Sequence, residues 1–146
     1  MLTGPLIVVL AAVLAIYWFR YACRVALSAK KEPDCIARVA AVNGLSFLVV
    51  QTKLRLGETG LAALDESLDD DYRVLKHLLQ HATAGRRMES LEKRMLVCDY
   101  HLMALWYNSV GKFSGAQARK ALDERSRIVS YLAHRIALRT GSRAAA

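Results

Sequence analysis

The first nineteen residues of the chain carry no charge, and the next dozen carry four positive charges and no negative one. The run Leu6–Phe19 (LIVVLAAVLAIYWF) is apolar throughout, and Met1–Pro5 adds nothing that resists lipid. Leu2 to Phe19 spans eighteen residues. As a helix that is roughly 27 Å, short but sufficient for a hydrocarbon core of about 30 Å. Arg20 and Arg24 extend the span by snorkelling, with their stems among acyl chains and their heads among phosphates. Tyr17, Trp18 and Tyr21 fall at the same end, where an interfacial aromatic belt sits. Two other fates compete. A soluble core helix seldom opens a chain with every face apolar. A cleaved signal peptide calls for a basic start and a small-x-small site after the apolar run, and neither is clear here.

The flanks predict an orientation. No Lys or Arg precedes the span, while Arg20, Arg24, Lys30 and Lys31 follow it. The positive-inside rule then places the N-terminus outside and residues 20–146 on the cytoplasmic side of an inner membrane. The membrane-interface set is therefore Tyr17, Trp18, Arg20, Tyr21, Arg24, Lys30 and Lys31. Its cations would meet anionic lipid headgroups, at about 1 kcal/mol per charge. Within the span, Ala11, Ala12 and Ala15 give a weak small-residue face where another membrane helix could approach.

The remaining chain is long enough for one modest domain. Pro5 and Pro33 are the only prolines and glycine is sparse, which favours long helices. Cys23, Cys35 and Cys98 are odd in number and widely spaced, so they suggest reduced thiols rather than a disulfide framework. The charge is uneven. Residues 113–146 are strongly basic, and the acidic residues Asp65, Glu66, Asp69, Asp70 and Asp71 cluster in 61–83.

The expected architecture is all-α: an anchor with a basic extension over residues 1–31, an antiparallel bundle of about four helices over 32–141, and a disordered tail at 142–146. Pro33 ends or kinks the first helix and Asp34 can cap the next. That second helix, about Cys35–Leu56, is expected to be buried and central. A break at Asn43-Gly44 would leave Leu45–Val50 as a short strand, and a re-entrant or interfacial segment is the rival. Residues 59–82 place Leu61, Leu64, Leu68, Leu75, Leu78 and Leu79 at helical spacing, with Gly85 closing the helix. The next helix, about Arg86–Val110, spaces Met88, Leu91, Met95, Cys98, Leu102, Leu105 and Ser109 by alternate steps of three and four, a seam that should face another helix. Ser114 and Gln117 match a capping box. The last helix should bury Ala118, Leu122, Val129, Leu132 and Ile136 and stop at Gly141. Short connections imply antiparallel neighbours.

No constellation assembles an active site. His77 and His81 share one helix face at a spacing that suits a metal, and Cys98 and His101 are further weak candidates. Antiparallel packing would, however, set Cys98 level with Asp71 rather than with His77. Asp69–Asp71 would then lie level with Cys98–His101, as a carboxylate–histidine pair or a plain salt-bridge surface. No nucleophile elbow, phosphate loop or haem attachment site occurs. The Arg-rich last helix (Arg119, Lys120, Arg125, Arg127, Arg135, Arg139, Arg143) lacks stacking aromatics apart from Tyr131, so lipid or an acidic protein surface fits it better than nucleic acid. Trp106 and Tyr107, if exposed, would join Ala11 and Ala15 as partner-interface residues.

These features point to a non-enzymatic accessory or scaffolding subunit of an inner-membrane complex. Other membrane subunits, anionic headgroups and a second copy of the chain are the expected partners, and no cofactor is implied. A metal- or cofactor-binding bundle and a membrane-tethered nucleic-acid binder are the alternatives.

Overall fold

In the computed structural model the chain forms α1 (Thr3–Leu27), α2 (Pro33–Asn43), α3 (Phe47–Leu56), α4 (Leu61–His81), α5 (Arg87–Val110) and α6 (Gly115–Ala144), with no strand among the described residues. The structure describes residues 1–28, 33–57, 59–81 and 87–144. Lys30, Lys31 and Gly85 lie outside them, as do the side chains of Met88 and Arg143.

α1 is long and apolar enough to cross a membrane. Its most apolar stretch has a mean hydropathy of 2.1 and is only 6% buried. Leu6 to Leu14 and Ile16 to Trp18 project into open space. A core helix of a soluble domain would be covered by its own chain, and along most of its length this segment is not. Only the last turns meet the rest of the chain, where Cys23 and Leu27 are buried.

The single helix expected over Cys35–Leu56 is instead two, bent by 114°. The cause is local. Gly44 takes the left-handed conformation (φ 63°), which a side chain resists and glycine does not. The Leu45 N–H reaches back 2.9 Å to the Ala40 carbonyl, the six-to-one closure of a Schellman end. α3 then needs a partner for its first N–H groups, and Asp71 of α4 supplies it. Its Oδ2 accepts from Ser46 N–H at 2.8 Å, and the Phe47 N–H is bonded as well. Gly57, at φ 76°, closes α3.

α6, not the 35–56 segment, is central. It touches each of the other five helices. Its buried stripe is the expected one, Ala118, Leu122, Val129, Leu132 and Ile136. It continues through Gly141 to Ala144 rather than stopping at the glycine. α4 likewise buries Leu64, Leu68, Leu75 and Leu79. Between α5 and α6 the contacts run in opposite chain order: Glu92 meets Tyr131 and Arg135, while Tyr100 meets Arg125. The turn joining them is tight. A Cβ at Gly111 would run into the Tyr107 carbonyl oxygen and crowd the Ala118 methyl.

Candidate functional site

Two polar centres and one apolar face stand out, and the first joins α1 to the other helices. Arg20, one residue past the apolar run, turns its guanidinium inward. Nη1 donates to Asp99 Oδ1 at 2.8 Å and Nη2 to Glu124 Oε2 at 2.6 Å. The arginine expected among lipid phosphates therefore holds two carboxylates of α5 and α6. Asp99 is fully buried, and its Oδ2, like Glu124 Oε1, has no hydrogen-bond partner. Two carboxylates against one guanidinium leave an excess negative charge in a desolvated place. Burial raises the pKa of Glu124 above the usual carboxyl range, and neighbouring Asp99 adds to this against the Arg20 hydrogen bond. A proton held on Glu124 relieves the excess. Cys23 is buried beside this junction, one turn further along α1.

The second centre surrounds Arg125, whose side chain is 1% exposed. Its Nη1 donates to Asp65, and Nη2 donates to Asp69 Oδ1 at 2.5 Å and to the Tyr100 hydroxyl at 2.9 Å. Its guanidinium also lies 4.6 Å from the centre of the Tyr100 ring, a cation–π distance. Tyr72 stacks on the Tyr100 ring at 3.9 Å, and the Tyr100 hydroxyl lies in donating distance of Asp69 Oδ1 at 2.9 Å and of the Leu68 carbonyl at 3.1 Å. Burial holds the Tyr100 phenol protonated well above its usual range. Arg125 is thus a core residue and not part of an open basic face.

The spacing carried this signal. Arg125 occupies the gap in the stripe Ala118, Leu122, Val129, Leu132 and Ile136, where a core-facing residue belongs. Its acidic partners Asp65 and Asp69 are four apart on α4, on one face.

The rest of α6's basic residues divide. Arg135 binds Glu92 Oε2 at 2.6 Å and the Tyr131 hydroxyl at 3.0 Å. Burial and the Glu92 hydrogen bond push the Tyr131 pKa up to about 12. Arg119 donates to the Gly57 carbonyl at 2.9 Å, and Arg127 bridges Asp123 at the surface.

The triple aspartate likewise serves separate tasks. Asp69 binds Arg125, Asp70 forms an exposed pair with Arg73, and Asp71 caps α3. Burial raises the Asp71 pKa, against the lowering effect of the Ser46 and Phe47 N–H groups. No carboxylate–histidine pair forms among them.

The apolar face belongs to α5. Most of the seam expected to be buried points outward: Leu91, Cys98, Leu102, Leu105 and Ser109 are exposed, while Met95 packs partly against the core. The buried side of α5 is offset by about one position, with Leu96, Asp99, Tyr100 and Met103. Trp106 is 45% exposed and Leu105 64% exposed, whereas Tyr107 is half-buried against the core. Phe113 continues the bare strip past the helix end.

The weak metal candidates are dispersed. His77 and His81 have ring centres 4.3 Å apart, and the ring of His81 bonds the His77 carbonyl. His101 packs edge-on against Tyr72 and Tyr100, and Cys98 is exposed. Among the described residues no three His, Cys, Asp or Glu side chains come together as a metal site would require. Of the interface aromatics, Trp18 and Tyr21 meet edge-to-face at 6.0 Å, and Tyr17 is exposed. Ala11 and Ala15 lie on the bare part of α1.

No protein-family model matches the chain, and no curated protein or solved structure matches it.

Proposed function

We propose that the chain is a non-enzymatic accessory or scaffolding subunit of an inner-membrane complex. α1 is the anchor, its N-terminus lies outside, and α2 to α6 form an antiparallel helical domain on the cytoplasmic side. The observation that carries this reading is the α5 seam. Of the positions at coiled-coil spacing, Met95 packs against the core, whereas Leu91, Leu102 and Leu105 are exposed within one chain, and that spacing suits a facing helix. Trp106 beside them is the residue type enriched at interface hot spots. The unpartnered apolar length of α1, including Ala11 and Ala15, offers a second contact inside the bilayer.

A cleaved signal sequence is the rival account of α1. The junction at Arg20 argues against removal. Cleavage beyond the last turns of α1 would take Arg20, Cys23 and Leu27 out of the fold and leave Asp99 buried without its cation. Such an orphaned charge is strongly destabilising.

Mild-detergent extraction followed by sizing tests the proposal. The full chain should migrate in an assembly, with its N-terminal residues intact by mass. Leu102→Glu combined with Leu105→Glu should release the partner while the helical content stays unchanged. A lone monomer in the unaltered protein sinks the reading.

A further inference from the structure

The lower end of α1 and the first half of α6 enclose an open cleft of about 370 Å³. Arg24 and Leu27 wall one side, and Lys120, Asp123, Glu124 and Arg127 wall the other. Its charges are unevenly matched. Asp123 is bridged by Arg127 at 2.9 Å, and Glu124 by Arg20 at 2.6 Å. Arg24 and Lys120 line the same space, and among the described residues neither has a carboxylate at ion-pair distance. Arg24, Lys120 and Arg127 outnumber Asp123 and Glu124 among the lining residues, so the cleft has spare positive charge to offer an anion. Leu27 adds an apolar surface next to them.

The height of the cleft narrows the choice of anion. Arg24 follows Phe19 by five residues, about 7.5 Å along a helix axis. The headgroup layer outside each face of the hydrocarbon is roughly 5–8 Å deep. The cleft therefore lies at the level of lipid phosphates, and Tyr17, Trp18 and Tyr21 are exposed on the preceding turns of α1. We propose that it binds the phosphate headgroup of an anionic phospholipid, with Arg24 and Lys120 as the donors and the acyl chains lying along the bare face of α1. Arg24 offers a two-pronged fork to the phosphate, and Lys120 a mobile point charge. The proposal rests on α1 crossing the membrane.

The full chain in mild detergent is titrated with short-chain phosphatidylglycerol, short-chain phosphatidylcholine and inorganic phosphate, and retained ligand is counted by native mass spectrometry. The same preparation is placed in vesicles and extracted with alkaline carbonate. Phosphatidylglycerol should be retained in preference to both other ligands. Arg24→Gln with Lys120→Gln should weaken that retention about thirtyfold, and Arg24→Lys with Lys120→Arg should keep most of it. Both residues are exposed, so the variants should remain folded, with Cys23 still shielded from thiol reagents. Equal retention of the two lipids, or unaltered retention by the Gln pair, overturns the proposal. Phosphate displacing the lipid at equal concentration also overturns it, because the site then belongs to a free phosphate. Carbonate removing the unaltered protein from vesicles removes the membrane premise itself, an outcome the titration arms distinguish from failure of the cleft alone.

Discussion

The N-terminal and C-terminal helices invert the usual match between composition and burial. α1 is the most apolar segment of the chain, and along most of its length nothing covers it. α6 carries Arg119, Lys120, Arg125, Arg127, Arg135 and Arg139, and it is the helix that every other helix touches. Apolarity alone therefore tells which solvent a segment prefers, not how central it is. A bare apolar helix needs lipid or a partner. A basic helix can be central if each inward cation finds carboxylates and its remaining positions keep a continuous apolar stripe.

The sharpest way to break that contrast is to strip Arg125 of its acids. Asp65→Ala with Asp69→Ala leaves a guanidinium in the core with only Tyr100 beside it. Breaking a buried pair in this way costs about 3–5 kcal/mol, read as a lower urea midpoint. Arg125→Met should cost less, roughly 1–2 kcal/mol, because the half-exposed Asp69 can turn to water and a methionine fills part of the space. The reverse order would mean that Arg125 acts by packing rather than by charge.

The opposite end of the contrast is tested by Leu10→Arg. Leu10 is exposed on the bare length of α1, so unfolding of the domain should be unchanged. A charge at the middle of a membrane helix raises the insertion free energy by about 2.5–3.5 kcal/mol, so the variant should be lost from the membrane fraction. A lowered unfolding midpoint without loss from membranes would show that α1 is a covered helix of the domain, and the contrast would fail.

What could be read from the sequence follows the same division. α1 was plain because a charge-free run admits few fates, and α4 and α6 because leucine, valine and isoleucine mark their buried stripes at regular spacing. The α5 face was misread because its inner side mixes Leu96 and Met103 with Asp99 and two tyrosines. Asp99, Tyr100 and Tyr107 lie against the core, while the more apolar Leu91, Leu102 and Leu105 face out. A hydropathy pattern ranks the outer side higher, and Arg20 and Arg125, distant in sequence, are what make Asp99 and Tyr100 favourable to bury beside Leu96 and Met103. The bend after Asn43 was legible as a glycine, but its completion depends on Asp71, twenty-five residues beyond Ser46. The Arg20 junction was illegible for the same reason. Arg20 beside an apolar run looks like a snorkelling cation until Asp99 and Glu124 are brought to it.

That junction is where the two regions meet, and it supplies the next test. Arg20→Gln removes the charge that holds the lower end of α1 against α5 and α6. Cys23, fully buried now, should react with a maleimide roughly 30 to 150 times faster, the equivalent of about 2–3 kcal/mol of lost closure. Unchanged labelling would mean that apolar contacts of Cys23 and Leu27 alone fasten the helix. Glu124 gives the same junction a pH dependence of fixed sign. Its folded pKa is raised above the ordinary 4.5 by burial. The stabilisation that protonation brings is full below 4.5 and is lost as pH rises through the higher folded value. The urea midpoint of the full chain should therefore fall more steeply above pH 4.5 than that of Glu124→Gln, in which the group cannot ionise. Parallel pH profiles for the two proteins would show that Glu124 ionises without penalty.

The smallest expected effect sits at the rim of α6. Gly57 closes α3 in the left-handed conformation, and its carbonyl accepts from Arg119. Gly60, three residues on, has no positive φ, and no neighbouring atom lies within 4 Å of where a methyl group would stand. Gly57→Ala should therefore cost about 1 kcal/mol by strain at the helix end. Gly60→Ala should be neutral, or stabilise by up to about 1 kcal/mol by stiffening the unfolded chain. Unfolding midpoints of the two single variants, measured side by side, separate the effects. Equal shifts would mean that the end of α3 is not pinned by its left-handed residue.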